Sequence, residues 1–308
     1  MPSTFNSTDG MAGRYLKRGD AVSKSVSRFA AGAGGHLTRP EPGRIVSIET
    51  MSFLSGRAAV VTGAGKGIGR TVALELARSG AAVAVAARTQ ADVDGVAQEI
   101  TAGGGTARAF ACDVRDAEQL RTLFQSARAA LGKVDILVNG AGVAPSALLH
   151  KTSEEQWRAA IETNLSGAFY AMREAIPEML AGRWGRIVNV ASIAGKTGSP
   201  YIAAYTASKH GLLGLTKVAA LEVAEQGVTV NAVCPGYVDT PMTDAGVERM
   251  VALTKRPAEE IRKRIADMSP QKRMVTTQEV AALVLYLMSD AARGITGQAL
   301  NVDGGTAV

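Results

Sequence analysis

The sequence predicts an α/β fold, a parallel sheet doubly wound between two layers of helices, occupying residues 51–308 as one domain. Three observations carry this. From Arg57 onward, short β-branched runs alternate with longer amphipathic stretches. The runs are apolar throughout, so they should be buried on both faces, as the strands of a parallel sheet are. A glycine-rich turn stands between the first run and the first amphipathic stretch, where a helix should open. The expected strands are Ala58–Thr62, Ala82–Ala87, Thr106–Ala111, Asp135–Asn139, Arg186–Val190, Val228–Val233 and Gln298–Val302, with helices between them joined by right-handed crossovers. A sheet of this Rossmann type binds ligands beyond the carboxyl ends of its strands, so strand-end residues should carry the chemistry.

Composition narrows the function classes. The net charge of +6 is not gathered into a basic stripe with interleaved aromatics, which argues against a nucleic-acid partner. No segment has the apolar length of a membrane span. Cys112 and Cys234 lie beside strand-like runs without metal or redox spacing and read as free thiols in a reducing, cytoplasmic compartment. Residues 1–50, rich in Ser, Gly and Arg, read as a disordered or loosely attached extension without catalytic role. A start-site artefact is favoured over a targeting leader, because Asp9, Asp20, Glu41 and Glu49 are out of place in a transit peptide.

The turn after the first strand, Gly63-Ala64-Gly65-Lys66-Gly67-Ile68-Gly69, lacks the Gly-Lys-Ser/Thr ending of a P-loop and suits a dinucleotide pyrophosphate held at a helix N-terminus. Where the second strand ends, a carboxylate would bind the ribose hydroxyls of NAD(H). Ala87 and Arg88 stand there instead. Arg88 can pair with a 2′-phosphate and Lys66 adds a second cation, so NADP(H) is favoured over NAD(H). Asp92 and Asp94 are judged too far into the next helix to supply the missing acid. In the alternative reading Arg88 stacks on adenine and Lys66 is solvated. Asp113 and Val114, after the third strand, are expected near the adenine, although Asp113 could equally cap the next turn.

Tyr205 and Lys209 are four residues apart in a helical run, which puts phenol and ammonium on one face. A free tyrosine titrates near 10, so a neighbouring cation that stabilises phenolate would make it a usable acid/base. Ser192 follows the fifth strand, placed to hold a carbonyl oxygen. Asn139, Ala141 and Gly142 end the fourth strand, and Asn164 is a polar residue inside a helical run that needs a partner.

With these motifs in order, together with Asn231 and Pro235-Gly236, residues 52–305 resemble the short-chain dehydrogenase/reductase family. The resemblance implies that Tyr205 protonates an alkoxide during carbonyl reduction and that Ser192 orients the carbonyl. It further implies that Lys209 lowers the phenol pKa and binds the nicotinamide ribose, and that Asn164 anchors a relay water. It implies nicotinamide contacts from Pro235, Gly236, Val238 and Thr240, a helical lid over about residues 237–273, and a homotetramer. Gly140 departs from the family's usual Asn-Asn-Ala-Gly and is expected to loosen that turn.

The substrate pocket is expected to include Val143, Ala144, Ser146, Ile193, Ala194, Tyr201 and Ile202, with Lys255, Arg256, Lys272 and Arg273 of the lid as candidate contacts to a CoA or carrier phosphate. Similarity to 3-oxoacyl reductases and 3-hydroxybutyrate dehydrogenases points to a 3-oxo or 3-hydroxyacyl substrate, and the latter enzymes leave NAD(H) as the alternative cofactor. A nucleotide-binding scaffold is the non-enzymatic alternative.

Overall fold

Seven strands pair in parallel as one sheet in the computed structural model, which describes residues 52–307. The expected extension over 1–50 lies outside the described residues. The strands are β1 (Ala58–Thr62), β2 (Ala82–Ala87), β3 (Thr106–Ala111), β4 (Val134–Asn139), β5 (Gly185–Val190), β6 (Val228–Pro235) and β7 (Ala299–Val302). Their order is β3-β2-β1-β4-β5-β6-β7, and the reversal of winding between β1 and β4 opens a crevice at their carboxyl ends.

Alternate residues of each central strand serve opposite layers. Ala59, Val61, Val83, Val85, Ile136 and Val138 pack with helices α1 (Gly67–Arg78), α2 (Gln90–Ala102) and α9 (Thr277–Met288). Val60, Ala84, Leu137, Ile187 and Val230 pack with α3 (Ala117–Leu131), α5 (Gly167–Ala181) and α6 (Ala203–Val223). Both faces are therefore dry, which is why these runs carry no polar alternation. β3 departs from that expectation. It is an edge strand, and Thr106 and Arg108 are exposed on it because no neighbour covers them.

Several helices start where a side chain satisfies their free amides. The Asp116 carboxylate accepts from Glu118 N and Gln119 N at the start of α3. Capping boxes open α4 (Glu154–Ile161), through Ser153 and Gln156, and α9, through Thr276 and Glu279. The α1 terminus is different: its N-cap, Lys66, makes no side-chain cap, so the first amides face the crevice. Between Pro241 and Arg273 lie two helices, α7 (Pro241–Thr254) and α8 (Ala258–Asp267), and no strand. No helix among the described residues is long and apolar enough to cross a membrane.

Candidate active site

A cavity of about 680 Å³ runs along the carboxyl ends of the strands, from the glycine turn to α7. At one end its wall holds Gly63, Gly65, Lys66, Gly67, Ile68 and Gly69, with Arg88, Asp113 and Val114 beyond them. Gly63 sits at φ +67°, and a Cβ there would lie 2.6 Å from Ala141 N, so the turn after β1 closes on the turn after β4 only without a side chain. This cradle, with the uncapped α1 amides behind it, fits a pyrophosphate. The geometry also explains Gly140. Its amide donates to Thr62 O at 3.1 Å, and a Cβ would stand 2.7 Å from that same oxygen. Glycine therefore tightens this turn against β1, contrary to the expected loosening.

Two expectations at this end change. Asp92, discounted from its place in the sequence, lines the cavity: α2 folds back over the turn and sets the Asp92 carboxylate 3.1 Å from Lys66 Nζ. Lys66 is thus already paired, and among the described residues Arg88 forms no ion pair there. The Asp113 carboxyl is held below its usual range chiefly by Arg115, whose guanidinium donates to it, with Arg88 contributing. Asn139 does not line the cavity. Its amide donates to Asn189 Oδ1 at 2.9 Å, and Asn189 donates to Thr216 Oγ1 at 2.9 Å, a buried polar chain tying β4, β5 and α6.

At the other end, two separate segments converge. Ser192 follows β5, and Tyr205 and Lys209 stand on the first turns of α6, with Lys209 Nζ 5.6 Å from the Tyr205 ring centroid. The Ser192 side chain acts to lower the phenol's pKa. Burial outweighs it, and the phenol ends above its ordinary value. The expected depression by Lys209 is therefore not found, and Lys209 is not among the groups that shift the phenol. Burial pushes Lys209 itself down to about 8, and its ammonium donates to Val190 O at 2.7 Å.

Asn164 lies behind this wall, on a π-helical turn (Glu162–Ser166) between α4 and α5. The wider turn aims its side chain inward. Asn164 Oδ1 accepts from Val143 N at 2.8 Å, and Nδ2 donates to Val143 O and Ser208 Oγ, each at 2.9 Å. The loop that carries Val143 and Ala144 into the cavity is thereby fixed.

Residues 63–307 match a family profile described as enoyl-(acyl carrier protein) reductase. A protein of Streptomyces violaceoruber assigned as ketoacyl reductase 1 of the granaticin polyketide synthase is 42% identical over 249 residues, 80% of this chain and 92% of its own. The chain belongs to the short-chain dehydrogenase/reductase family. Other relatives include the 3-oxoacyl-(acyl-carrier-protein) reductase FabG of Staphylococcus aureus, 39% identical over 81% of this chain and 97% of its own. The D-beta-hydroxybutyrate dehydrogenase of Cupriavidus necator is also 39% identical, over 82% and 98%. Among solved structures, a variant of actinorhodin polyketide ketoreductase with NADPH superposes with a TM-score of 0.80 at 39% identity, covering 83% of this chain and 98% of that one.

Pro235, Gly236, Val238 and Thr240 of this family member line the cavity, as do Val143, Ala144, Ser146, Ile193, Ala194 and Ile202. Tyr201 does not. It takes φ +70° and turns outward, 58% exposed, because its carbonyl is held by Ala147 N at 2.8 Å. The cations considered for a carrier phosphate lie on the exposed surface and are engaged there: Arg256 pairs with Glu260, Arg273 with Glu279, and Lys272 donates to Asp267 O. Lys255 caps the end of α7 outside the cavity wall. The sequence reading missed Met242, Arg249, Met250 and Leu253 of α7 and Ile265 of α8, all in the wall. Their three- and four-residue spacing was legible as a helix face, but only the packing of the lid shows which face turns inward.

Proposed function

We propose that this protein is an NADP(H)-dependent ketoreductase of 3-oxoacyl-type compounds, with Tyr205 as the acid/base. The observation that carries this reading is the convergence of Ser192, Tyr205 and Lys209 on one end of a cavity whose other end is a glycine cradle with Arg88 beside it. The cradle and the Arg88 charge suit NADP(H), which when bound supplies the hydride for reduction. The Ser192 hydroxyl donates to the carbonyl oxygen and holds it beside the phenol. Tyr205 then gives its proton to that oxygen as it becomes an alkoxide, so the ketone ends as a secondary alcohol. Lys209 supports the phenolate left behind by charge, across the helix turn that separates them. Asn164 holds the Val143 loop and, in the family's manner, the relay that reprotonates the phenol. Exposed Phe169, Val218 and Leu221 on α5 and α6 supply apolar surface for the expected homotetramer.

One observation favours a second reading, an NAD(H)-dependent 3-hydroxyacyl dehydrogenase: Asp92 brings a carboxylate into the cradle and takes up the charge of Lys66. Parallel titrations of the full chain with NADPH and NADH separate the two. The first reading expects NADPH to bind more tightly, and Arg88→Ala to weaken NADPH binding about tenfold or more while changing NADH little. Tyr205→Phe should still bind cofactor and lose about 10²–10⁴ of its turnover of acetoacetyl thioester. Undiminished turnover in that variant would remove Tyr205 from this role, and a wild type that binds nucleotide without any turnover would favour the scaffold alternative.

A further inference from the structure

The substrate half of the cavity has an apolar wall of Val143, Ile193, Met242, Met250, Leu253 and Ile265. One cation interrupts it. Arg249, exposed on α7, lines the cavity, and among the described residues its side chain forms no ion pair or hydrogen bond. The cations of α8 are, by contrast, engaged. Arg262 pairs with both Asp239 and Asp244, Lys263 with Asp267 and Arg264 with Glu260. The acids in the cavity wall, Asp92 and Asp113, are both at the glycine-turn end and are paired there with Lys66 and Arg115. Lys66 and Arg88 belong to that same end, and the Lys209 ammonium is buried on Val190 O. An unmatched guanidinium on an apolar wall has planar donors suited to a carboxylate or a phosphate and nothing in its own lid to satisfy them.

We infer that Arg249 is a specificity-determining residue that selects substrates carrying an anionic group beyond the reacting ketone. This rests on the ketoreductase reading above and refines its substrate class. The anion has two chemical sources, the carboxylate of a free 3-oxo acid or a phosphate of a CoA or carrier tether. Both present oxygens to the same fork of N–H groups.

The test compares kcat/KM, with the preferred nicotinamide, for acetoacetate, acetoacetyl-CoA and neutral ethyl acetoacetate. It uses the wild type, Arg249→Ala, Arg249→Lys and, as a lid control outside the cavity, Lys263→Ala. The expected result is that Arg249→Ala lowers the charged-over-neutral ratio about tenfold or more for at least one anionic substrate, mainly through KM. Arg249→Lys should recover part of that ratio, and Lys263→Ala should leave it in place. Loss with acetoacetate assigns the carboxylate, and loss with acetoacetyl-CoA assigns the phosphates. Ratios within twofold of wild type for both anions overturn the inference while ethyl acetoacetate reduction keeps the ketoreductase reading intact. A wild type that reduces none of the three compounds overturns that reading, and the inference with it.

Discussion

Replacing Asn164 by Ala should cost about 3 kcal/mol of stability. The side chain is 1% exposed and makes three hydrogen bonds, two to Val143 and one to Ser208. Ser208 keeps its bond to Tyr205 O at 2.7 Å, so its hydroxyl proton stays partnered. The Val143 N–H and C=O are left without partners. Each orphaned group costs about 1–3 kcal/mol, and the cavity beside Val143 admits water, which places the cost toward the lower end. For a domain of this size about 3 kcal/mol corresponds to a drop of about 6 °C or more in Tm. Differential scanning calorimetry reads that drop, and hydrogen exchange should find the Val143 amide newly exchangeable. Asn164→Asp should fare worse near neutral pH. It keeps the acceptor for Val143 N but turns a negative oxygen toward Val143 O inside a buried site. A Tm within about 1 °C of wild type for Asn164→Ala, with Val143 still protected, would refute the assignment of Asn164 as the anchor of the cavity loop.

Lys209 gives a pH-dependent counterpart. Its ammonium, held down to about 8 from 10.5 by burial, keeps its proton in the unfolded chain through a window where the folded protein has released it. The unfolded state therefore binds more protons between about pH 8 and 10.5, and this residue's contribution to stability rises with pH across that window by about 3 kcal/mol. The slope of denaturation midpoint against pH from 8 to 9.5 should be smaller in Lys209→Met than in wild type, and equal slopes would sink the idea. At the cradle, Gly63→Ala should cost about 2–4 kcal/mol, since the position needs φ +67° and a Cβ meets Ala141 N at 2.6 Å. Thermal denaturation with and without NADPH checks this, and the variant should also lose most of the stabilisation that the nucleotide gives the wild type.

The sequence by itself determined the sheet and the chemistry carried by local order. β1 and β2 begin and end where the apolar runs do, because burial on both faces leaves a continuous signal that stops at Arg57, Gly63 and Arg88. The Tyr205 and Lys209 spacing is a property of one helix, and the Ser192 position is a property of one strand end, so both were legible before any packing was known. Tertiary structure decided what depends on the meeting of distant segments. Asp92 reaches Lys66 only because α2 folds back over the glycine turn. Asn139 points into the sheet because Asn189 of β5 is beside it. Tyr201 turns outward because Ala147 claims its carbonyl, and Arg249 faces the cavity because of how α7 settles over the sheet. Spacing along a chain fixes which residues share a face. Which face meets which partner is set by packing among elements far apart in sequence, and no local pattern encodes it.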